Sequence, residues 1–181
     1  NDMQAFKSFL ETRFPAEQAD MHIQVLPNEQ ATRKNIINGF ENHLAKADGA
    51  KGDLAICYYS GHGAQEPAPQ EFWDDNPDKL FQSIVCWDSR INDGSDLVDK
   101  EIGYLTSRVT ARVGKEAPHF LVMMDCCHSG SGTRSAGEQT KSRQMDVSSK
   151  NRKISEYLGY EQRQEVGGKI KFPVGPHILL A

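Results

Sequence analysis

No hydrophobic run in this 181-residue chain approaches the roughly 20 residues that a bilayer-spanning helix needs, and no secretory signal opens it. A basic excess is also missing. The chain carries 21 Lys and Arg against 25 Asp and Glu, a formal net charge of −4, which gives no reason to expect a nucleic-acid partner. Aromatic residues make up only 8% of the sequence and apolar residues 38%, enough for one core in one soluble globular domain. Cysteine is scarce too. The four thiols, Cys57, Cys86, Cys126 and Cys127, show neither the paired spacing of a zinc site nor the spread of a disulfide framework. Adjacent cysteines make a strained bridge, so reduced thiols and a cytoplasmic setting are expected. Cys57 and Cys86 lie inside apolar runs and read as small core residues.

What is present alternates between helical and extended patterns. Met3, Phe6, Leu10 and Phe14 recur at helical spacing over residues 2–14, with Asp2 placed to cap the start. Residues 22–26 form a short β-rich run. Thr32 then caps a helix through Ile36, Ile37, Phe40 and Leu44, which ends near Asp48 and Gly49. Strands are expected over residues 53–59, 83–87 and 119–124, and a third helix over 97–113 with Ile102, Leu105 and Val109 on one face. The proline-containing stretch 65–80 reads as a surface loop, and Asp74, Asp75 and Asp78 as its solvated face. Residues 129–153 are poor in apolar side chains and carry Arg134, Lys141, Arg143, Lys150, Arg152 and Lys153, the mark of a basic loop that is solvated or cleavable. A last strand begins at His177. Alternating β and α elements predict an α/β sandwich with a mainly parallel central sheet covered on both faces.

Two short segments carry the chemistry. Ser60-Gly61-His62-Gly63 follows the apolar run 54–59, and Asp125-Cys126-Cys127-His128-Ser129-Gly130 follows the apolar run 120–124. Each places reactive side chains at the C-terminal end of a strand, where α/β sheets present them. Side chains two apart share a face, so Ser60 pairs with His62 and Asp125 with Cys127, while Cys126 turns the opposite way. His62 is the better base for Cys127, because His128 cannot easily turn back on its neighbour, and an imidazole supplies what a thiol needs to become a thiolate. The N–H groups of Gly63 and Cys127 are candidates to stabilise an oxyanion. Asp125, beside the nucleophile, is placed to pair with an Arg or Lys.

Tyr58-Tyr59-Ser60-Gly61-His62-Gly63 and Asp125-Cys126-Cys127-His128-Ser129-Gly130 resemble the histidine and cysteine motifs of metacaspases and their bacterial caspase-like relatives, the orthocaspases, in peptidase family C14. Asn1-Asp2, Ala31-Thr32-Arg33 and residues 176–181 extend the resemblance over nearly the whole chain, and the animal-caspase signature Q-A-C-x-G does not fit. The resemblance implies a caspase-like α/β/α sandwich, a His62–Cys127 dyad, and peptide cleavage through an acyl-enzyme. It also implies that Asp2, Ser60 and Asp125 line a pocket for a basic side chain, so cleavage is expected after Arg or Lys in protein or peptide substrates. The basic loop lies where caspase-like proteins are often cut, which makes self-cleavage there an expectation. A single catalytic domain over 1–181 follows, with a large-subunit-like part at 1–133, the loop at 134–153 and the start of a small-subunit-like part at 154–181. The sequence reads as truncated at both ends, and a monomer is expected.

Many metacaspases need calcium, held in part by an Asp-Asp pair before the third helix and by an acidic residue after the cysteine turn. Here those places hold Asp99-Lys100 and Arg134, and cations are unfavourable in a site for a hard divalent ion, so no cofactor is expected. No further Cys or His falls at metal-ligand spacing, and His22, His43, His119 and His177 receive no role. Two other readings stand beside the protease. One is a catalytically silent interaction module of the same fold, against which the intact His62 and Cys127 speak. The other is a thiol redox protein using Cys126 and Cys127, against which the strand geometry speaks.

Overall fold

A computed structural model describes residues 2–91, 94–111, 114–126 and 143–181. The apolar runs become two neighbouring parallel strands, β1 (Leu54–Ser60) and β5 (His119–Asp125), in register from Leu54 opposite His119 to Ser60 opposite Asp125. Between them in sequence lie β2 (Gly63–Pro67), β3 (Leu80–Ile84) and β4 (Leu97–Val98), which form a separate antiparallel sheet in the order β2-β3-β4. A hairpin of β6 (Gln164–Val166) and β7 (Lys169–Lys171) turns at Gly167 and Gly168, with φ of +62° and +75°. Two consecutive positive φ values are what a tight two-residue hairpin requires, and only glycine adopts them without cost. Finally β8 (Ile178–Leu180) joins the parallel sheet beside β5, giving the order β1-β5-β8.

Strand alternation sorts the side chains of this sheet onto two faces. Ala55, Cys57 and Tyr59 of β1 and Phe120, Val122 and Met124 of β5 point into the main core, against helices α2 (Arg33–Asn42) and α3 (Asp99–Thr110). Phe40 of α2 meets Phe120 edge-on at 6.2 Å between ring centroids, and Leu105 and Val109 of α3 complete the contact. Thr32 caps α2 by accepting the N–H of Asn35 at 3.2 Å. On the opposite face lies α1 (Asp2–Arg13), whose Phe6 packs on Tyr58 at 4.4 Å between ring centroids. Helices therefore flank the parallel sheet on both sides, the α/β architecture expected. A second core of Phe72, Phe81, Val98, Tyr157 and Phe172 sits against the β2-β3-β4 sheet.

Several elements differ from the expectation. Residues 22–26 form no strand, and the strand expected at 83–87 runs from Leu80 to Ile84. The Val85 N–H still bonds the His62 carbonyl at 3.0 Å in the register of β2, and the pairing stops where the Cys86 N–H turns to Ser89 Oγ at 2.6 Å. The stretch 65–80 is not all surface loop, since it supplies most of β2 and the buried Phe72. Nor is the basic stretch solvated throughout: Ser148 and Arg152 are buried. The first helix forms, but it buries none of its residues fully. Among the described residues no helix is long and apolar enough to cross a membrane.

Candidate active site

Because β1 and β5 run parallel in register, Ser60 and Asp125 are neighbours at their C-terminal ends and project from the same face. The start of α1 lies over that face and brings Asp2 to the same point, with Asp2 Oδ2 3.3 Å from Ser60 Oγ. Three side chains separated by up to 123 positions thus converge through strand register and one helix terminus. At their centre stands the guanidinium of Arg143. Its Nη1 donates to Asp125 Oδ2 at 2.7 Å and to Ser60 Oγ at 3.0 Å, and its Nη2 pairs with Asp2 Oδ2. The Tyr58 hydroxyl closes the group, donating to Asp125 Oδ2 at 3.3 Å. Arg143 holds the Asp2 carboxyl below the usual carboxylate range, through its hydrogen bond first and its charge second.

His62 follows two residues after Ser60, in the turn between β1 and β2, and its side chain is exposed. The turn is braced from below. The Tyr59 hydroxyl lies 2.8 Å from the His62 carbonyl oxygen and 3.0 Å from that of Val85, sharing its one proton between two acceptors. Gly61 is required by this brace, since a Cβ there would stand 2.5 Å from the Tyr59 hydroxyl oxygen. One residue beyond His62, the Gly63 N–H donates to the carbonyl oxygen of Arg143 at 2.9 Å. One amide therefore holds the carbonyl of the same residue whose side chain fills the acidic group.

Cys127 and His128 lie outside the described residues, as do Arg134 and Lys141. The remaining thiols are poor nucleophiles or core residues. Burial pushes Cys57 and Cys86 up to about 12, and Cys126 packs against the main core, on the side its place in the strand alternation predicts. Lys100 Nζ lies 3.1 Å from Asp99 Oδ2, so a tethered ammonium already meets the carboxylate that a divalent ion would need. Among the described residues no group of three His, Cys, Asp or Glu could hold a metal ion.

Sequence reasoning named Asp2, Ser60 and Asp125 but not the side chain that joins them, since Arg143 was one of six bases in its stretch. It also missed a second charged group beneath the site. Arg152 donates through Nε to Glu66 Oε1 at 2.7 Å, through Nη1 to Glu101 Oε1 at 3.0 Å and through Nη2 to Glu101 Oε2 at 3.2 Å. Both glutamates are fully buried. Arg33 adds a second cation at 2.5 Å from Glu101, and Tyr157 donates to Glu66 at 2.8 Å. Complete burial pushes the Glu66 carboxyl up, against the pull of Arg152 and Tyr157. The network joins β2, three residues on from the Gly63 amide, to the first turns of α2 and α3 and to residues 152–158. The signal available in the sequence was a glutamate at position 101, three residues after Val98, placed to accept its N–H at a helix start.

A parallel β1-β5-β8 sheet between helices, with a histidine turn after β1 and a cysteine pair following β5 in sequence, defines a caspase-like α/β domain. The metacaspase, peptidase C14 domain matches residues 1–134, well over half of the chain. The chain belongs to the metacaspase family of caspase-like cysteine peptidases. It is similar to Metacaspase-8 of Arabidopsis thaliana, with 31% identity over 110 residues, 61% of this chain and 26% of that protein. The match thus spans about a quarter of the relative's length.

Proposed function

We propose that this chain carries the catalytic machinery of a cysteine endopeptidase that cuts after Arg or Lys, and that it cuts its own chain between Arg143 and Gln144. Cys127 is the nucleophile, His62 the base, and Gly63 N–H with Cys127 N–H the oxyanion donors. One observation carries the reading: the Arg143 side chain meets Asp2, Ser60 and Asp125 while its carbonyl oxygen accepts the Gly63 N–H. That is the pose a substrate residue needs, with the side chain in the specificity pocket and the carbonyl on an oxyanion donor.

The chemistry follows from these roles. His62 takes the thiol proton, and the Cys127 thiolate attacks the carbonyl carbon of the basic residue. The negative charge moves to the carbonyl oxygen, where Gly63 N–H stabilises it. Collapse expels the amine, which takes its proton from His62, and leaves a thioester. Water, deprotonated by His62, then hydrolyses the thioester and regenerates the thiol. Asp2 and Asp125 favour a cation and repel an acidic side chain, so Asp at this position is rejected. Arg offers a planar fork that reaches both carboxylates at once, whereas Lys offers one point charge, so Arg is the better substrate. The substrates are proteins or peptides with an exposed Arg or Lys, and the enzyme acts as a monomer without calcium, Lys100 standing against Asp99.

Mass spectrometry of the purified protein tests the self-cleavage. Wild type is expected to give a fragment ending at Arg143, Arg143→Lys a slower cut at the same bond, and Arg143→Gln and Cys127→Ala no cut there. A wild type that stays whole while hydrolysing Arg peptides would remove self-cleavage from the account. Failure to hydrolyse any peptide would make the chain a silent interaction module.

A further inference from the structure

The segment after Arg143 lies along the edge of β2 that faces away from β3. Gly63 turns both its backbone groups to this segment. Its N–H donates to the Arg143 carbonyl at 2.9 Å, and its carbonyl accepts the Met145 N–H at 2.9 Å. This pair of bonds makes a parallel bridge between Gly63 and Gln144. Further along, the Gln65 carbonyl accepts the Ser148 N–H at 2.7 Å. A regular parallel ladder would bring residue 147 to Gln65, so the segment bulges by one residue, and the Arg90 guanidinium holds the bulge through the Asp146 carbonyl at 3.2 Å.

We propose that this edge of β2 is the docking rail for the residues that follow the cut in any substrate, which pair with it in parallel through their backbone. The inference rests on reading Arg143 as the residue before the cut. Recognition by strand addition takes its affinity from main-chain hydrogen bonds, so it selects extended segments whatever their side chains. The demanding position is the second residue after the cut, the counterpart of Met145, because its N–H binds the carbonyl of the glycine whose own N–H holds the scissile carbonyl. The two bonds register the peptide on either side of the bond to be broken, and a substrate with proline at that second position lacks the donor. Gln144, Asp146 and Val147 are exposed, whereas Ser148 and Arg152 are buried. After self-cleavage, residues 144–147 are a short arm hung from that buried anchor, and an incoming substrate takes their place on the rail.

Three quenched fluorescent peptides with the sequence of residues 142–149 test this on the self-cleaved wild-type protein. One is unmodified, one carries an N-methyl group at the Met145 position, and one carries it at the Asp146 position, whose counterpart presents its carbonyl to Arg90. Loss of one backbone hydrogen bond is expected to lower kcat/KM about three- to tenfold for methylation at the Met145 position and under about twofold at the Asp146 position. Cutting after Arg at rates insensitive to both methyl groups, or equally sensitive to both, overturns the rail and leaves the Arg reading intact. No cutting of the unmodified peptide overturns both.

Discussion

Replacing Arg152 with leucine is expected to destabilise the protein by about 3–5 kcal/mol, the cost of removing one partner from a buried ion pair. The structure supports the upper part of that range. Arg152 makes three charge-assisted hydrogen bonds to two fully buried carboxylates, and its guanidinium carbon lies 4.0 Å from the centre of the Tyr157 ring. After the substitution Glu66 retains only the Tyr157 hydroxyl among the partners described, with Oε2 already unpartnered, while Glu101 keeps Arg33 and the N–H groups of Val98 and Leu158. Most of the penalty therefore falls on Glu66. Glu66→Gln in the Arg152→Leu background should recover part of it, because a neutral amide is cheaper to bury than an unpaired carboxylate. Arg152→Lys should recover little, since one ammonium cannot span both glutamates. Urea unfolding followed by circular dichroism, in a Cys127→Ala background that keeps the chain in one piece, measures these differences. At about 2–4 °C per kcal/mol for a domain of this size, the midpoint of thermal unfolding should fall by about 6–20 °C. A loss below about 1 kcal/mol for Arg152→Leu would refute the reasoning, because it would mean that the network contributes no more than exposed pairs do.

Three further outcomes are expected. Tyr59→Phe removes the hydroxyl that braces the His62 turn and should cost about 1–2 kcal/mol of stability while lowering kcat more than it raises KM, which steady-state kinetics with an Arg peptide would read. The Asp2 carboxyl is held below its ordinary value by Arg143, so its contribution to docking that side chain is fully present above about pH 4 and is lost as pH falls through the lowered value. Limited proteolysis of Cys127→Ala across that range should show residues near 143 becoming cleavable at the acid end, and protection that does not change with pH would count against the pairing. Turnover should be the same with calcium or with a chelator, and a rate that collapses on chelation would contradict the role assigned to Lys100.

The parts of this fold legible in the sequence were those that local pattern determines. The runs at 54–59 and 120–124 are continuous and apolar because both faces of the strands are covered, and the 3.6-residue spacing of Ile36, Ile37 and Phe40 and of Ile102, Leu105 and Val109 marks two helices. β2 was not legible. Its sequence Gly-Ala-Gln-Glu-Pro lacks branched and aromatic residues, and it holds its place through backbone bonds to β3 on one edge and to residues 143–148 on the other. Glu66 is buried in it because a cation 86 positions away neutralises it, a pairing with no local signature. The site divides the same way. Ser60 and Asp125 could be placed on one face by counting along two strands, but which of six bases would meet them depends on where the chain returns across the sheet.

The central claim is tested most directly by offering fluorogenic peptides ending in Arg, Lys or Asp to the wild-type protein and to Cys127→Ala. The account predicts hydrolysis after Arg, slower hydrolysis after Lys, none after Asp, and loss of all activity in the variant. Cleavage after Asp, or Arg cleavage that survives Cys127→Ala, would contradict it.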